Sequence, residues 1–264
     1  MRYYRVPTLT IAGSDSSGGA GIQADLKTFS AIGTYGMSVI TAITAQNTEG
    51  VFAVEELSGE IIKKQIQVIF ADIEPAAVKI GMVSSAEIIL DIVEMLKRYN
   101  PKYLVVDPVM ISKSGYSLLK PEAKGNLIKY LIPMAYLITP NVPEAEEITG
   151  IEIKTLDDMK MVGEKILALG PKYVLMKGGH LEGDAIDVLI GKDVFEVYKS
   201  KRINKKNTHG TGCTISSAIT AHLALGYDIK EAVALSKKYI TEAIEHSFDI
   251  GHGVGPVNHF YKFE

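Results

Sequence analysis

Cysteine is nearly absent. The chain has one, Cys213, in 264 residues. An internal disulfide is therefore excluded, and a reducing cytoplasm is the expected compartment. No apolar run approaches the length of a membrane span. The apolar part of "MRYYRVPTLTIAGSD" is too short for a signal-peptide core and leads straight into a strand-like segment. Neither sign of charge dominates: 28 Lys and Arg face 31 Asp and Glu, a net of -3. That balance gives no general attraction to nucleic acid or to an anionic membrane. Repeats, low-complexity segments and Pro/Ser-rich linkers are missing too. Residues 1–264, 47% hydrophobic, are thus expected to fold as a single α/β domain. A Walker A pattern is also lacking. "GSDSSGGAG" has no GK[ST] ending, which excludes a P-loop enzyme.

What is present is an alternation of short apolar runs and amphipathic ones. "LTIAG", "SVITAITAQ", "AVKIG", "YLVVD", "YLITP" and "YVLMKGG" read as strands. Between them, "GIQADLKTFSAIG" reads as a helix ending on Gly33, and Ser58 caps a helix over "GEIIKKQIQVIFADI". "SAEIILDIVEMLKRYN", "PEAKGNLIKYLI", "VPEAEEITG" and "DMKMVGEKILALG" are further helices. "AIDVLI" and "VFEVYKS" form a hairpin about "GKD", and two helices follow, from Cys213 to Leu225 and from about Ile229 to Ser247. Strands spaced by helices of this length predict a mostly parallel sheet with helices on both faces. Ligands of such sheets sit beyond the carboxyl ends of the strands. There the sequence places Gly13, Gln46, Met82, Asp107, Val109, Asn141 and Lys177.

The segment "THGTGCT" combines Gly210 and Gly212 with a helix start. Freed backbone N–H groups and the helix dipole make an anion hole. A thiol in that position has its thiolate stabilised, so Cys213 is a candidate base or nucleophile. A small buried hydrophobe is the plainer alternative. His209 invites a cysteine–histidine hydrolase reading, but a glycine turn between the two does not supply the geometry. Asp107 and Glu144, at two strand ends, suit magnesium held partly through water, although each acid alone is as well explained by helix capping or solvation. Lys177 is a compact cation for phosphate oxygens. Together these groups form a kit for phosphoryl transfer.

Across nearly the whole chain these segments resemble the ribokinase-like superfamily, and within it the hydroxymethylpyrimidine/phosphomethylpyrimidine kinases. "AGSDSSGGAGIQADLKTFSAIGTYGMSVITAITAQNTEGV" carries the resemblance, followed in order by "KIGMV", "VVDPVM", "TPNVPEAEEITG", "LMKGGH", "THGTGCT" and "GVGPVNH". It implies a three-layer α/β/α fold. It also implies ATP- and Mg2+-dependent phosphorylation of 4-amino-5-hydroxymethyl-2-methylpyrimidine, then of its monophosphate, in thiamine biosynthesis. Asn141 and Glu144 match the NxxE element acting through magnesium and phosphate. Lys177 and Thr208 match ATP contacts, and Gly210, Gly212 and Cys213 the anion hole and base. Gly13, Asp25, Gln46, Met82 and Val109 match positions around the pyrimidine. Most of the superfamily has aspartate where this chain has Cys213; the pyrimidine kinases are similar to this chain in having cysteine. Partners are then the small-molecule pyrimidine and ATP, with no nucleic acid and no membrane, and a homodimer is expected. Rival readings are a pyridoxal kinase of the same superfamily, a thiol hydrolase and a non-catalytic pyrimidine binder. A lid is expected from "SDSSGGAG" and "SKSGYS", because a kinase must keep water from the γ-phosphate.

Overall fold

A computed structural model describes residues 5–111, 115–116, 118–179 and 183–264. Six parallel strands make the body of one sheet: β1 (Pro7–Ala12), β2 (Tyr35–Ile40), β5 (Ala77–Ile80), β6 (Leu104–Val106), β7 (Leu137–Ile138) and β8 (Tyr173–Lys177). The antiparallel hairpin β9 (Ala185–Gly191) and β10 (Val194–Ser200) completes the order β10-β9-β8-β7-β6-β5-β1-β2.

The period of two along the strands divides the core. Leu104, Val106, Ile138, Val174 and Met176 point into one apolar cluster, shared with α2 (Gly59–Asp72), α3 (Ala86–Tyr99) and α6 (Leu156–Leu167). Their neighbours Val105, Leu137 and Leu175 point into the other, shared with α7 (Thr211–Ala224) and α8 (Ile229–Glu245). Helix α1 (Gly21–Ile32) packs beside α7. A sheet covered on both faces needs apolar residues at consecutive positions, and these short strands have them.

Two expectations need correction, and one has no structural account. "SVITAITAQ" is two strands, not one. After Ile40 the chain leaves the main sheet at Thr41, and Ala42–Gln46 forms β3. It pairs antiparallel with β4 (Val51–Glu56), a strand the sequence reading passed over, in a separate two-stranded sheet. The alternating burial of β3 sets Ala42 and Thr44 inward and Ile43 outward. The helix expected over "PEAKGNLIKYLI" is regular only through α4 (Pro121–Asn126). It then widens into a π-type turn at Leu127–Leu131 and a 3-10 turn at Ile132–Met134, where Pro133 lacks an N–H to continue the ladder. Finally, residues 112–114 and 117 of "SKSGYS", and His180 of "LMKGGH", lie outside the described residues, so the lid expected from the first segment has no structural account. The remaining boundaries agree to within a few residues.

Candidate active site

Strand order places the strand-end residues in a row. Lys177 closes β8, Asn141 follows β7, Asp107 follows β6, Met82 follows β5 and Gly13 follows β1. Winding reverses between β5 and β1, the point where open α/β sheets leave a crevice. A cavity of about 1140 Å³ occupies that edge. It is lined by Gly13, Gln46, Met82 and Val109 on the β1/β5 side and by Asp107, Asn141, Glu144 and Lys177 on the β6–β8 side. Thr208, Gly210, Gly212 and Cys213 complete the lining.

Asn141 and Glu144 open helix α5 (Val142–Thr149) as a reciprocal cap. Asn141 Oδ1 accepts from the Glu144 N–H at 2.9 Å, and Glu144 Oε2 accepts from the Asn141 N–H at 2.8 Å. Burial pushes the Glu144 carboxyl up to about 7; Lys177 opposes that rise and Asp107 adds to it. Asp107 is 2% exposed. Burial would raise its carboxyl, but Lys177, 2.8 Å from Oδ1, holds it below the ordinary range, and Thr139 donates to the same oxygen at 3.0 Å. Ser216 Oγ lies 3.3 Å from Oδ2 but 3.0 Å from the carbonyls of Gly212 and Cys213, which are the nearer acceptors for its one proton. Asp107 thus keeps acceptor capacity on Oδ2 alone.

Two buried carboxylates beside one lysine leave negative charge that a hard cation would settle. Among the described residues no group of three or more His, Cys, Asp or Glu side chains surrounds a metal position. The donor set therefore fits magnesium, which keeps several waters and takes one or two carboxylates, and it does not fit a cation enclosed by protein.

Gly210 caps α7 with φ 78°, the left-handed region, and a side chain there would overlap the Gly19 carbonyl oxygen. Glycine is therefore required by both conformation and space. The turn brings the first N–H groups of α7 to the cavity, and Cys213 sits in that first turn. Its thiol departs from the expectation of a stabilised thiolate. Removal from water pushes it up to about 11; Lys79 pulls down, while Asp25 and Asp107 push up. Desolvation outweighs the downward pull of Lys79, so the thiol is less acidic than an ordinary one, not more.

Asp25 is also corrected. It does not line the cavity. It is fully buried beneath it, with Lys79 Nζ 2.9 Å from Oδ1 and 2.8 Å from Oδ2, both side chains at 0% exposure. Thr10 donates to Oδ2 at 2.6 Å and Ser217, one turn beyond Cys213, to Oδ1 at 2.6 Å. Four hydrogen bonds from three donors, two of them from Lys79, fill the four lone-pair positions of a carboxylate, which leaves none for a ligand. Lys79 sits directly under the strand-end turn: a side chain on Gly81 would come within 2.6 Å of its Nζ.

His209 is not paired with Cys213. Its Nε2 lies 2.9 Å from Asp15 Oδ2 and 3.2 Å from Gln46 Nε2. Asp15 also accepts from the N–H groups of Ser17, Gly19 and Ala20. The loop "SDSSGGAG", expected to act as a lid, is thus pinned to the "THGTGCT" turn, and closure would have to work against those bonds. Sequence reasoning missed two further features. Lys79 was read as part of an apolar strand. Another part of the cavity is lined by Ile215 of α7, Ile240 and Ile244 of α8, and Lys201, Arg202, Ile203 and Lys205 of the segment after β10, stretches too ordinary in pattern to attract notice.

An anion hole, a lysine and two acids, with a glutamine amide and a methionine lining the same cavity, can hold a polyphosphate against an alcohol borne on a small ring. The chain is similar to known proteins along nearly its whole length. A family profile described as phosphomethylpyrimidine kinase matches residues 15–258. The hydroxymethylpyrimidine/phosphomethylpyrimidine kinase of Rhizobium meliloti is 51% identical over 259 residues, 97% of this chain and 97% of that protein. The thiamine biosynthesis bifunctional protein ThiED of Geobacter sulfurreducens is 48% identical over 98% of this chain, which spans about half (53%) of that relative's length. A crystal structure of phosphomethylpyrimidine kinase from Clostridium difficile is 77% identical, with a TM-score of 0.83 over 91% of this chain and 100% of that one. A pyridoxal kinase of Bacillus subtilis, solved as an ADP complex, is 42% identical, with a TM-score of 0.90 over 97% of this chain and 98% of that one.

Proposed function

The chain belongs to the phosphomethylpyrimidine kinase family, and from that premise we propose that it transfers the γ-phosphoryl group of ATP to hydroxymethylpyrimidine and then to its monophosphate. The observation that carries the reading is the meeting of the Gly210–Cys213 turn, Lys177 and the Asp107/Glu144 carboxylates on one cavity wall. Phosphoryl transfer through a loose transition state asks mainly for positioning and charge stabilisation. The N–H groups at the start of α7 and the Lys177 ammonium face the charge of the phosphates. Magnesium, when bound, would neutralise phosphate charge, with Glu144 and Asp107 Oδ2 holding it through its waters. Cys213, in the fraction of molecules whose thiol has already lost its proton to solvent, is the group that takes the proton from the substrate hydroxymethyl. Gln46 and Met82 receive the ring, and Ile203, Ile215, Ile240 and Ile244 receive the nucleotide base.

A second reading, that pyridoxal is also phosphorylated, is favoured by the close structural likeness to pyridoxal kinase. One assay tests both. With ATP and magnesium, the aminopyrimidine alcohol should be phosphorylated twice, at a kcat/KM at least tenfold above that for pyridoxal. No product from the pyrimidine would end the reading; equal rates on both rings would install the second. In the same assay Glu144→Gln should lower the rate by roughly a hundredfold, the loss of one charged contact to the metal's shell, and shift the magnesium titration upward. A wild-type titration curve would remove Glu144 from that role.

The expected homodimer belongs to the same proposal. Phe52 (69% exposed) and Ile43 (52%), on the two-stranded sheet, are apolar side chains that self-association would cover. Light scattering should give twice the 28.7 kDa chain mass, and a single-chain mass would refute it.

A further inference from the structure

Asp15 and His209 have no role in the chemistry above. Resting on that functional reading, we propose that these two residues fix the orientation of the Gln46 side-chain amide, and so select the order of donor and acceptor that a ring edge must present.

The inference follows from counting protons. Asp15 Oδ1 accepts from Ser17 N–H at 2.8 Å and Ser17 Oγ at 2.7 Å; Oδ2 accepts from Gly19 N–H at 3.0 Å and Ala20 N–H at 2.7 Å. With every neighbour a donor, Asp15 is an ionised carboxylate. The His209 ring would be a donor as well: Nε2, 2.9 Å from Oδ2, must carry the proton, whether the ring is neutral or cationic. That same Nε2–H faces the Gln46 amide. The Gln46 atom nearest it, at 3.2 Å, is placed as nitrogen, and an N–H cannot donate to an N–H. The other end of the amide repeats the conflict. Its atom placed as oxygen is 3.4 Å from Thr44 Oγ1, whose single proton goes to the Ser14 carbonyl at 2.9 Å. Thr44 can only accept there.

Amide oxygen and nitrogen have nearly the same shape, so the hydrogen-bond network decides between them. Turning the Gln46 amide by a half rotation satisfies both ends at once. Oε1 then shares the one His209 Nε2–H with Asp15 Oδ2 in a three-centre bond, and Nε2 donates to Thr44 Oγ1. The backbone of Gln46 is held as well, its N–H by Ser16 Oγ at 2.9 Å and its carbonyl by the same hydroxyl at 2.7 Å. What the amide still offers the cavity is one lone pair on Oε1 and one proton on Nε2, in a fixed order. A 4-aminopyrimidine edge presents an amine donor beside a ring-nitrogen acceptor and pairs with that order. A 4-oxo analogue presents an N–H beside a carbonyl and needs the reverse. A site with fixed polar groups rejects the mismatched pattern because buried groups are left unpaired.

Three variants of one measurement test this. The unmodified protein should phosphorylate the 4-amino alcohol with a kcat/KM more than about tenfold above that of the 4-oxo analogue. His209→Phe keeps a ring against Gly19 and Pro256 but has no proton to give, and the ratio should fall to within about threefold of unity. His209→Gln restores an N–H near the Nε2 position, and the ratio should return. Affinity for a non-hydrolysable ATP analogue should stay the same throughout. A tenfold ratio surviving in His209→Phe, or absent from the unmodified protein, would overturn the proposal. Nitrogen-15 spectra of the ligand-free protein judge the hydrogen-bond chain without any substrate: His209 must be protonated at Nε2, and an Nδ1–H tautomer alone would refute it. If the unmodified protein phosphorylated no pyrimidine at all, the functional reading would fall, while the spectra would still decide the state of His209.

Discussion

Cys213→Ser should lower kcat/KM by about a hundredfold, and Cys213→Asp should recover most of that loss. Serine keeps the size and the backbone N–H of the anion hole, so what it removes is an ionisable group. The pH profile separates a base from a space-filler. Because burial sets the thiol at about 11 in the ligand-free protein, the fraction ionised at neutral pH is small and grows tenfold with each pH unit. The wild-type kcat/KM, which reports the free enzyme, should therefore climb with pH from 7 to 9 with a slope near one. A carboxylate is a much stronger acid than a thiol and meets the same burial, so the Cys213→Asp profile should level off at lower pH than the wild type. Lys79 is the cation that favours the thiolate once a substrate proton is to be taken. A serine variant with the wild-type rate at every pH would reduce Cys213 to a small residue beside the anion hole.

Lys79→Met should destabilise the fold by roughly 3–5 kcal/mol, since it strands the Asp25 carboxylate at 0% exposure. Burial alone would discharge Lys79, yet Asp25 holds its ammonium well above the ordinary lysine range. Thr10 and Ser217 still donate to Asp25 in the variant, but neither supplies a positive charge. For a chain of this size the change corresponds to a fall in Tm of about 6–20 °C. The companion Asp25→Leu/Lys79→Met removes both charges and should regain most of the stability, as replaced buried pairs commonly do. Thermal unfolding of the two variants measures this. A single variant as stable as the parent would mean that Asp25 simply takes up a proton.

Most of the sheet was legible in the sequence because its signals are local. Apolar runs such as "YLVVD" and "YVLMK" are bounded by glycine, proline or acidic residues, and caps at Ser58, Asn141 and Gly150 mark helix ends within three or four residues. The departure at Thr41 was hidden because "SVITAITAQ" has the same β propensity on both sides of it. Only pairing with distant strands decides which sheet each half joins. The site divides in the same way. Strand-end residues are predictable from topology, so Asp107, Asn141, Lys177 and Gly13 reach the cavity where the pattern places them. Asp25 does not, because one turn of α1 faces the sheet rather than the crevice. The thiol's ionisation was misjudged for a related reason: a helix start is visible in sequence, and the loss of water around a sulfur is not.

The cavity is assembled from the two ends of the chain. Asp15 meets His209 across 194 residues, and Asp25 meets Ser217 across 192. On a ribosome, everything through the β9–β10 hairpin is made first, and the last quarter follows over roughly 3–12 seconds at ordinary elongation rates. Until then the growing chain has its strand-end acids and Lys177 but no anion hole, no Cys213 and only part of the bond set around Asp25. Formation of these late, long-range contacts is slow compared with that of local ones. Translation thus delivers the Gly210–Cys213 turn, and after it the α8 wall of the cavity, only once every strand of the sheet has been made.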